Sequence, residues 1–310
     1  MTDDAVTARV AWYYYEGNLT QQQIADRLGL TRLRVNRTLA RAREDGLVRV
    51  KIRLPLAGCV ALEAALTKRY GLAEAAVVPD VPGYAERQRV VGEAAGAMLD
   101  RLLRDGQAVG VGWGRTLRAS LSRIEPRSHA ASWVVSLMGG LTRGSGTNTF
   151  EVSTALAERL GAECWYLAAP IYCPSEESRS ALLTHAGLSA VMKRAREVPV
   201  ALVSCGDFSE HSLLATTPTV AEHADALQAA GAVGDLLGTF LNAEGRPVAH
   251  ELNRRVMALS LPELAAVPSS ILASGGPNKV PVMRGILRAG YVRCLVTDEA
   301  SARVLLDAPR

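Results

Sequence analysis

Two groups of side chains in this 310-residue sequence have types and spacing suited to chemistry. The first is compact and cationic. Arg32, Arg34, Asn36, Arg37 and Arg41 fall within ten residues, with Gln21 and Thr31 ahead of them. Arginine can bond guanine through two parallel N–H groups, and asparagine can do the same with adenine. Arg41 and Arg43, further along, suit phosphate contacts instead. The second group is spread over three loops, GVGWGRT (110–116), GGLTRGSGTN (139–148) and SGGPNK (274–279). Each follows an apolar run and leads into a helical one. Glycines admit a ligand to the backbone, and the helix N-terminus behind them favours an anion. Lys279 stands at the start of the third helix, where its ammonium adds a point charge. Trp113 either packs or stacks on a sugar ring. Together the loops point to a small phosphorylated or polyhydroxylated ligand, although each alone is equally explained as a tight strand-to-helix turn.

The elements that must hold the first group read as a helix-turn-helix. Thr20 precedes QQQIADRL and Thr31 precedes RLRVNRTLARARED, each placed to cap orphan backbone N–H groups. Gly29 lies between them, where a short turn needs positive φ. Ala25 is small enough for two helices to cross closely. Ile24, Leu28, Leu30, Val35 and Leu39 supply an apolar wedge at helical spacing. With Val35 and Leu39 facing inward, Arg32 and Asn36 face outward, with Arg34 and Arg37 beside them. After Gly46, LVRVKIRL (47–54) alternates apolar and basic residues, as the wing strand of a winged helix-turn-helix would. Residues 1–54 hold ten lysines and arginines against six acids, so this segment carries the whole net charge of +4. A basic head on a neutral body suggests that only the head meets a polyanion. The bland alternatives are a solvated helix face or a three-helix packing module, and the second leaves the outer arginines unexplained.

Pro55 and Gly58 are expected to end the wing, with a short linker helix or dimer contact over 60–72. The domain division expected is 1–54 for DNA, 55–72 as linker and 73–310 for effector binding and assembly. From about residue 75 apolar runs alternate with helical stretches, the mark of parallel α/β architecture. Strands are expected near 75–79, 108–113, 132–138, 164–170, 198–204, 269–274 and 293–298. Helices are expected near 84–104, 115–124, 150–160, 218–230, 279–288 and 298–306. In such sheets ligands bind at the carboxyl ends of strands.

Several functions are excluded or disfavoured. A 48% hydrophobic composition is too apolar for a disordered chain and sufficient for two packed units. No apolar run approaches the ~18 residues of a membrane span, and MTDDAVTARV lacks a signal-peptide core. The five cysteines stand singly at 59, 164, 173, 205 and 294 without a CxxC, as expected of a reduced cytoplasmic protein without a zinc site. Cys164 and Cys173 read as core residues rather than nucleophiles. The dinucleotide fingerprint fails because position 115 is arginine where GxGxxG needs glycine. GxSxG, GxxxxGK[ST] and HExxH are all missing. His129, His185, His211, His223 and His250 are scattered, and each reads as a surface or satisfied histidine. No cofactor, metal or catalytic residue is expected.

With those residues in place, the chain resembles the sorbitol-operon-regulator (SorC) family of bacterial transcriptional regulators, also called the sugar-binding domain family. The match spans nearly the whole chain. It covers LTQQQIADRLGL and RVNRTLARAREDGLVRV in the head. VGWGRTL (111–117), MGG (138–140), AAP (168–170), VGDLLGTFLNAEGRPV (233–248), NRRVMALSLPEL (253–264), SGGPNK (274–279) and LRAGYVRCLVTDEASA (287–302) follow in order. The resemblance implies a winged helix-turn-helix followed by a Rossmann-like, sugar-phosphate-isomerase-like α/β effector domain, in a tetramer built as a pair of dimers. It also implies effector contacts at Gly114, Arg115, Thr116, Gly140 and Asn148, with Asp235 taking sugar hydroxyls and Lys279 a phosphate. Two stretches depart from the family pattern: FLNAEG carries Asn242 where an acid is common, and SCGDF replaces a glycine-rich turn around Gly206.

The expected function is an effector-responsive regulator of a carbohydrate uptake or catabolism operon, binding double-stranded operator DNA and a sugar, sugar phosphate or polyol. The alternative is a sugar-phosphate isomerase or deaminase with an accessory head, since fold does not fix function. Asp235 and Lys279 are its only evident acid–base candidates, and both suit binding equally well.

Overall fold

The structure is a computed structural model, and it describes residues 3–17, 19–44, 57–126, 132–141 and 147–307. The chain forms two compact units, Met1–Pro55 and Leu56–Arg310. The expected wing strand, 47–54, lies outside the described residues.

The first unit contains helices α1 (Asp3–Tyr15), α2 (Gln21–Leu28) and α3 (Arg32–Glu44). Thr20 caps α2 in a reciprocal box with Gln23, and the Thr31 hydroxyl accepts the Arg34 N–H at 3.2 Å. Gly29 ends α2 in the left-handed region, φ 64°, as the turn requires. Val6, Val10, Ile24, Ala25, Val35 and Leu39 form a closed small core. Helix α1 was not anticipated. Val6, Val10 and Tyr13 at helical spacing are its signature, and it covers the apolar side of the other two helices.

The second unit is built on a seven-stranded, wholly parallel sheet. In chain order the strands of this unit are β1 (Glu74–Val78), β2 (Val109–Val111), β3 (Trp133–Ser136), β4 (Glu163–Trp165), β5 (Val200–Val203), β6 (Cys205–Gly206), β7 (Gly234–Leu236), β8 (Thr239–Leu241), β9 (Ser269–Ala273) and β10 (Cys294–Asp298). The main sheet runs β1-β10-β9-β5-β2-β3-β4, and β6-β7-β8 form a small antiparallel sheet beside it. All seven expected strand regions contribute to the main sheet. Their near-continuous Val/Leu/Ile runs fit strands covered on both faces, and separate apolar clusters line the two sides. The 164–170 region is a strand only to Trp165.

The helices differ more. Helix α4 (Ala57–Tyr70) begins earlier than expected, so Gly58 lies in its first turn rather than in a break. It belongs to the second unit, where Tyr70 donates to the Leu305 carbonyl at 2.9 Å. The stretch 218–230 is two short helices, Pro218–Ala221 and Ala224–Ala229. Helices Glu176–Thr184 and Ala186–Glu197, and the small antiparallel sheet, were not anticipated. Among the described residues no helix is long and apolar enough to cross a membrane.

Candidate functional site

On α3, Val35, Leu39 and Ala42 are buried while Arg32, Arg34, Asn36, Arg37 and Arg41 are exposed. The apolar spacing that seats the helix therefore turns its cationic side outward. Gln21 and Arg32 line one surface concavity, with Thr20 and Gln22, so the starts of α2 and α3 present donors side by side. Thr31 is exposed, but its hydroxyl serves the α3 cap. The side chain of Arg43 lies outside the described residues.

In the main sheet β2 and β5 are neighbours, yet the chain leaves β2 towards β3 on one side and leaves β5 towards β9 on the other. Divergent connections open a crevice at the carboxyl ends of such a pair. A pocket sits there, lined by Trp113, Gly114, Arg115 and Thr116 after β2, and by Ser204, Cys205 and Gly206 after β5. Tyr84, Gln88, His211, Ser212, Asp235 and Lys279 close it. Five of the seven residues assigned to the effector, Gly114, Arg115, Thr116, Asp235 and Lys279, thus meet in one cavity.

Gly114 has φ 115°, a conformation that admits glycine, and its N–H donates to the Thr147 carbonyl at 3.0 Å. Arg115 is exposed and its Nη1 donates to the His211 carbonyl at 3.1 Å, tying the loop after β2 to the 211–214 stretch that also lines the pocket. The His211 ring stacks on Tyr84 with centroids 4.5 Å apart. Lys279 is only 6% exposed, with its Nζ 6.0 Å from the Tyr84 ring centroid. It makes no ion pair among the described residues, although a buried ammonium needs a partner. Its loop is shaped by Asp298 at the end of β10: Oδ2 accepts the Gly276 N–H at 2.8 Å and Oδ1 accepts the Ser301 N–H at 2.9 Å.

Asp235 lies on β7, 5% exposed. Leu237 and Gly238 join β7 to β8 in a two-residue turn with φ 52° and 77°, the positive pair of a type I′ hairpin. The Gly238 N–H donates to Asp235 Oδ2 at 3.0 Å. The carboxyl is pushed up to about 6, chiefly by burial; the Gly238 N–H and Lys279 pull it down and Asp207 pushes it further up. Gly206 is required opposite it, since a Cβ there would collide with Asp235 Oδ1. Cys205 is buried, its thiol raised to about 11 by burial and donating to Ser274 Oγ at 3.2 Å. A thiol so raised is not a nucleophile at neutral pH. Burial likewise raises Cys164 and Cys173.

Gly140 and Asn148 do not line the pocket. The Gly140 N–H donates to the Ala169 carbonyl at 2.9 Å, and a Cβ there would strike the Phe150 ring. Its glycine serves close packing. Asn148 spends its amide on Leu141, accepting from the N–H at 3.1 Å and donating to the carbonyl at 2.8 Å. It pins the two ends of the loop together; residues 142–146 between them lie outside the described residues. Asn242 is also remote. Its Oδ1 accepts the Arg246 N–H at 2.8 Å and the Glu244 N–H at 3.2 Å, so the departure at FLNAEG preserves a turn-closing acceptor. Conversely, Tyr84, Gln88, His211 and Ser212 line the pocket without having been singled out for it. His223 and His250 meet edge-on and His223 bonds Glu251, but no group of three metal-ligating side chains occurs among the described residues.

Comparison with known proteins bears directly on this arrangement. The Sugar-bind family, described as a sugar-binding domain, matches residues 54–307, and a Crp-like helix-turn-helix domain matches residues 8–63. The chain belongs to the SorC family of sugar-binding transcriptional regulators. The Erythritol catabolism regulatory protein EryD of Brucella abortus is 31% identical over 99% of this chain and 98% of its own. The Transcriptional regulator LsrR of Klebsiella pneumoniae is 33% identical over 99% and 94%. The crystal structure of the full-length sorbitol operon regulator SorC from Klebsiella pneumoniae superposes with a TM-score of 0.76 at 27% identity, covering 99% of this chain and 100% of that one. The α/β unit is therefore the SorC-type sugar-binding domain and the three-helix unit its DNA-binding module.

Proposed function

We propose that this protein regulates a carbohydrate uptake or catabolism operon by binding operator DNA through α3 and a sugar, sugar phosphate or polyol in the pocket between β2 and β5. One observation carries the reading. A buried ammonium without an ion pair among the described residues, an exposed guanidinium and a buried carboxylate share a cavity at the strand switch. Cations and a carboxylate in one pocket suit a ligand with an anionic or electron-rich end and several hydroxyl donors. Relatives named for erythritol catabolism and a sorbitol operon support a polyhydroxylated effector.

In this reading Arg115 and Lys279 hold the electron-rich end, Gly114 and Thr116 offer backbone and hydroxyl contacts, and Asp235 accepts hydroxyls. Asn148 and Gly140 shape the neighbouring loop. Arg32, Asn36 and Gln21 lie nearest the bases, with Arg34, Arg37 and Arg41 on the backbone or adjacent bases. The DNA-binding part is 1–54, and 73–310 binds effector and assembles as a tetramer, a pair of dimers, whose heads span two half-sites. The protein acts in the cytoplasm and catalyses no reaction. An effector held there acts on DNA binding by favouring one conformation over another, and it shifts that balance only by its difference in affinity for the two.

Thermal stability measured across a panel of sugars, polyols and their phosphates tests this. An effector at one hundred times its Kd raises stability by about 2.7 kcal/mol, and the same compound should alter operator affinity in a gel-shift titration. Turnover of a sugar phosphate by the purified protein, or stabilisation by no member of the panel, would count against it.

A further inference from the structure

Helix α3 has one large apolar side chain on the wrong side for folding. Val35, Leu39 and Ala42 mark its buried edge. At roughly 100° per residue, the direction opposite falls on Leu33, Arg37 and Ala40. Leu33 is 60% exposed, and Arg37 and Ala40 are exposed with it. Leu33 contributes nothing to the small core of the head. Its neighbours along the surface are cationic or amide-bearing: Arg32, Arg34, Asn36 and Arg37, all exposed. A leucine ringed by arginines is ill suited to a second protein core, which would have to desolvate those guanidinium groups. It is well suited to a polyanion that neutralises the ring while offering one apolar group at its centre. In the major groove that group is the 5-methyl of thymine, the only apolar feature among the base edges.

We propose that Leu33 is a specificity-determining residue that packs against a thymine 5-methyl in each operator half-site. The inference rests on α3 being the DNA-reading helix and adds one base to what the polar side chains read. Arg37 lies one helical turn beyond Leu33 on the same line, so the thymine should neighbour the base pair or phosphate that Arg37 touches. Thymine and cytosine also differ in the major groove by O4 accepting where N4 donates, but a methyl contact distinguishes them without a hydrogen bond.

The test replaces thymine by deoxyuridine, which removes the methyl and nothing else. The full-length protein first selects its operator from a pool of randomised duplexes, and each thymine of the selected duplex is then exchanged singly. One position per half-site should lose about fourfold in affinity, the worth of a buried methyl-sized group. Leu33→Ala should bind the unmodified operator more weakly by about the square of that factor, roughly sixteenfold over two half-sites, and be indifferent to the exchange at that position. Leu33→Gln, which favours helix about as well as leucine, should behave likewise, and both variants should melt with the parent because the position is exposed. The proposal is overturned if the parent binds its operator but no exchange matters, or if the exchange costs Leu33→Ala as much as the parent. It is equally overturned if Leu33→Ala leaves operator affinity intact and changes subunit assembly in sedimentation, which would make Leu33 a protein contact. Failure to select any duplex would instead sink the DNA-reading role of α3, and this inference with it.

Discussion

Asp235 couples the pocket to protons, and the size of the effect follows from its surroundings. Its carboxyl lies near 6 rather than 3.8, mainly because it is buried. The folded chain therefore keeps a proton at pH values where the unfolded chain has released it. Stability from this group is full below the unfolded value and is lost as pH rises through about 6. A shift of about two units corresponds to about 3 kcal/mol, roughly half of it falling between pH 5 and 8. Asp235→Asn abolishes that dependence. The amide oxygen can still accept the Gly238 N–H, while the second acceptor, which serves Gly206, is lost at a cost of about 1 kcal/mol. The variant should accordingly be more stable than the parent by about 2 kcal/mol at pH 8, with the advantage shrinking as pH falls. Urea unfolding of both ligand-free proteins from pH 5 to 8 measures this. Taking the difference removes groups common to both, such as His250, which burial shifts downward and whose contribution declines with acid. If effector hydroxyls donate to the ionised carboxylate, effector affinity of the parent should also fall about tenfold per unit below pH 6. A stability difference independent of pH would refute the reasoning.

Lys279→Ala should weaken a phosphorylated effector far more than its free sugar, read by calorimetric titration of both ligands, and leave effector-free operator binding unchanged; equal losses would remove the phosphate assignment. Asn36→Ala should cost ~1–3 kcal/mol and relax selection at one base pair, seen as a lost preference between the operator and its single-base variants. Arg41→Ala should weaken all duplexes alike and flatten the salt slope by roughly one unit, measured as affinity against salt. A chain of residues 56–310 should melt cooperatively and retain effector binding without DNA binding, because the two units have separate cores; aggregation would argue against the boundary.

What the sequence determined by itself is what local physics governs. Thr20, Thr31 and Gly29 act within a turn of their own positions, so caps and turn can be read directly. Val35 and Leu39 orient α3 by spacing alone, and with it the arginines. The seven strands were visible because parallel strands buried on both faces must be apolar throughout. Helix Glu176–Thr184 buries no residue fully and has little pattern to read. By contrast α1, with Val6, Val10 and Tyr13, and Ala186–Glu197, with Leu188, Val191, Met192 and Ala195, carry helical spacing that the sequence shows and that a reading of strands and loops passes over. The pocket was legible only through the family resemblance and its loops, and only in part. Glycine-rich loops look alike whether a glycine admits a ligand, as Gly114 can, or a neighbouring ring, as Gly140 does beside Phe150. The tertiary structure decided between them. It also recruited Tyr84, Gln88, His211 and Ser212, which no local pattern marks, because β2 and β5 are far apart in sequence and adjacent in the sheet. Strand order is set by which helix faces can be buried together. The cavity that order opens, and the burial that lifts the Asp235 carboxyl within it, exist only in the folded chain.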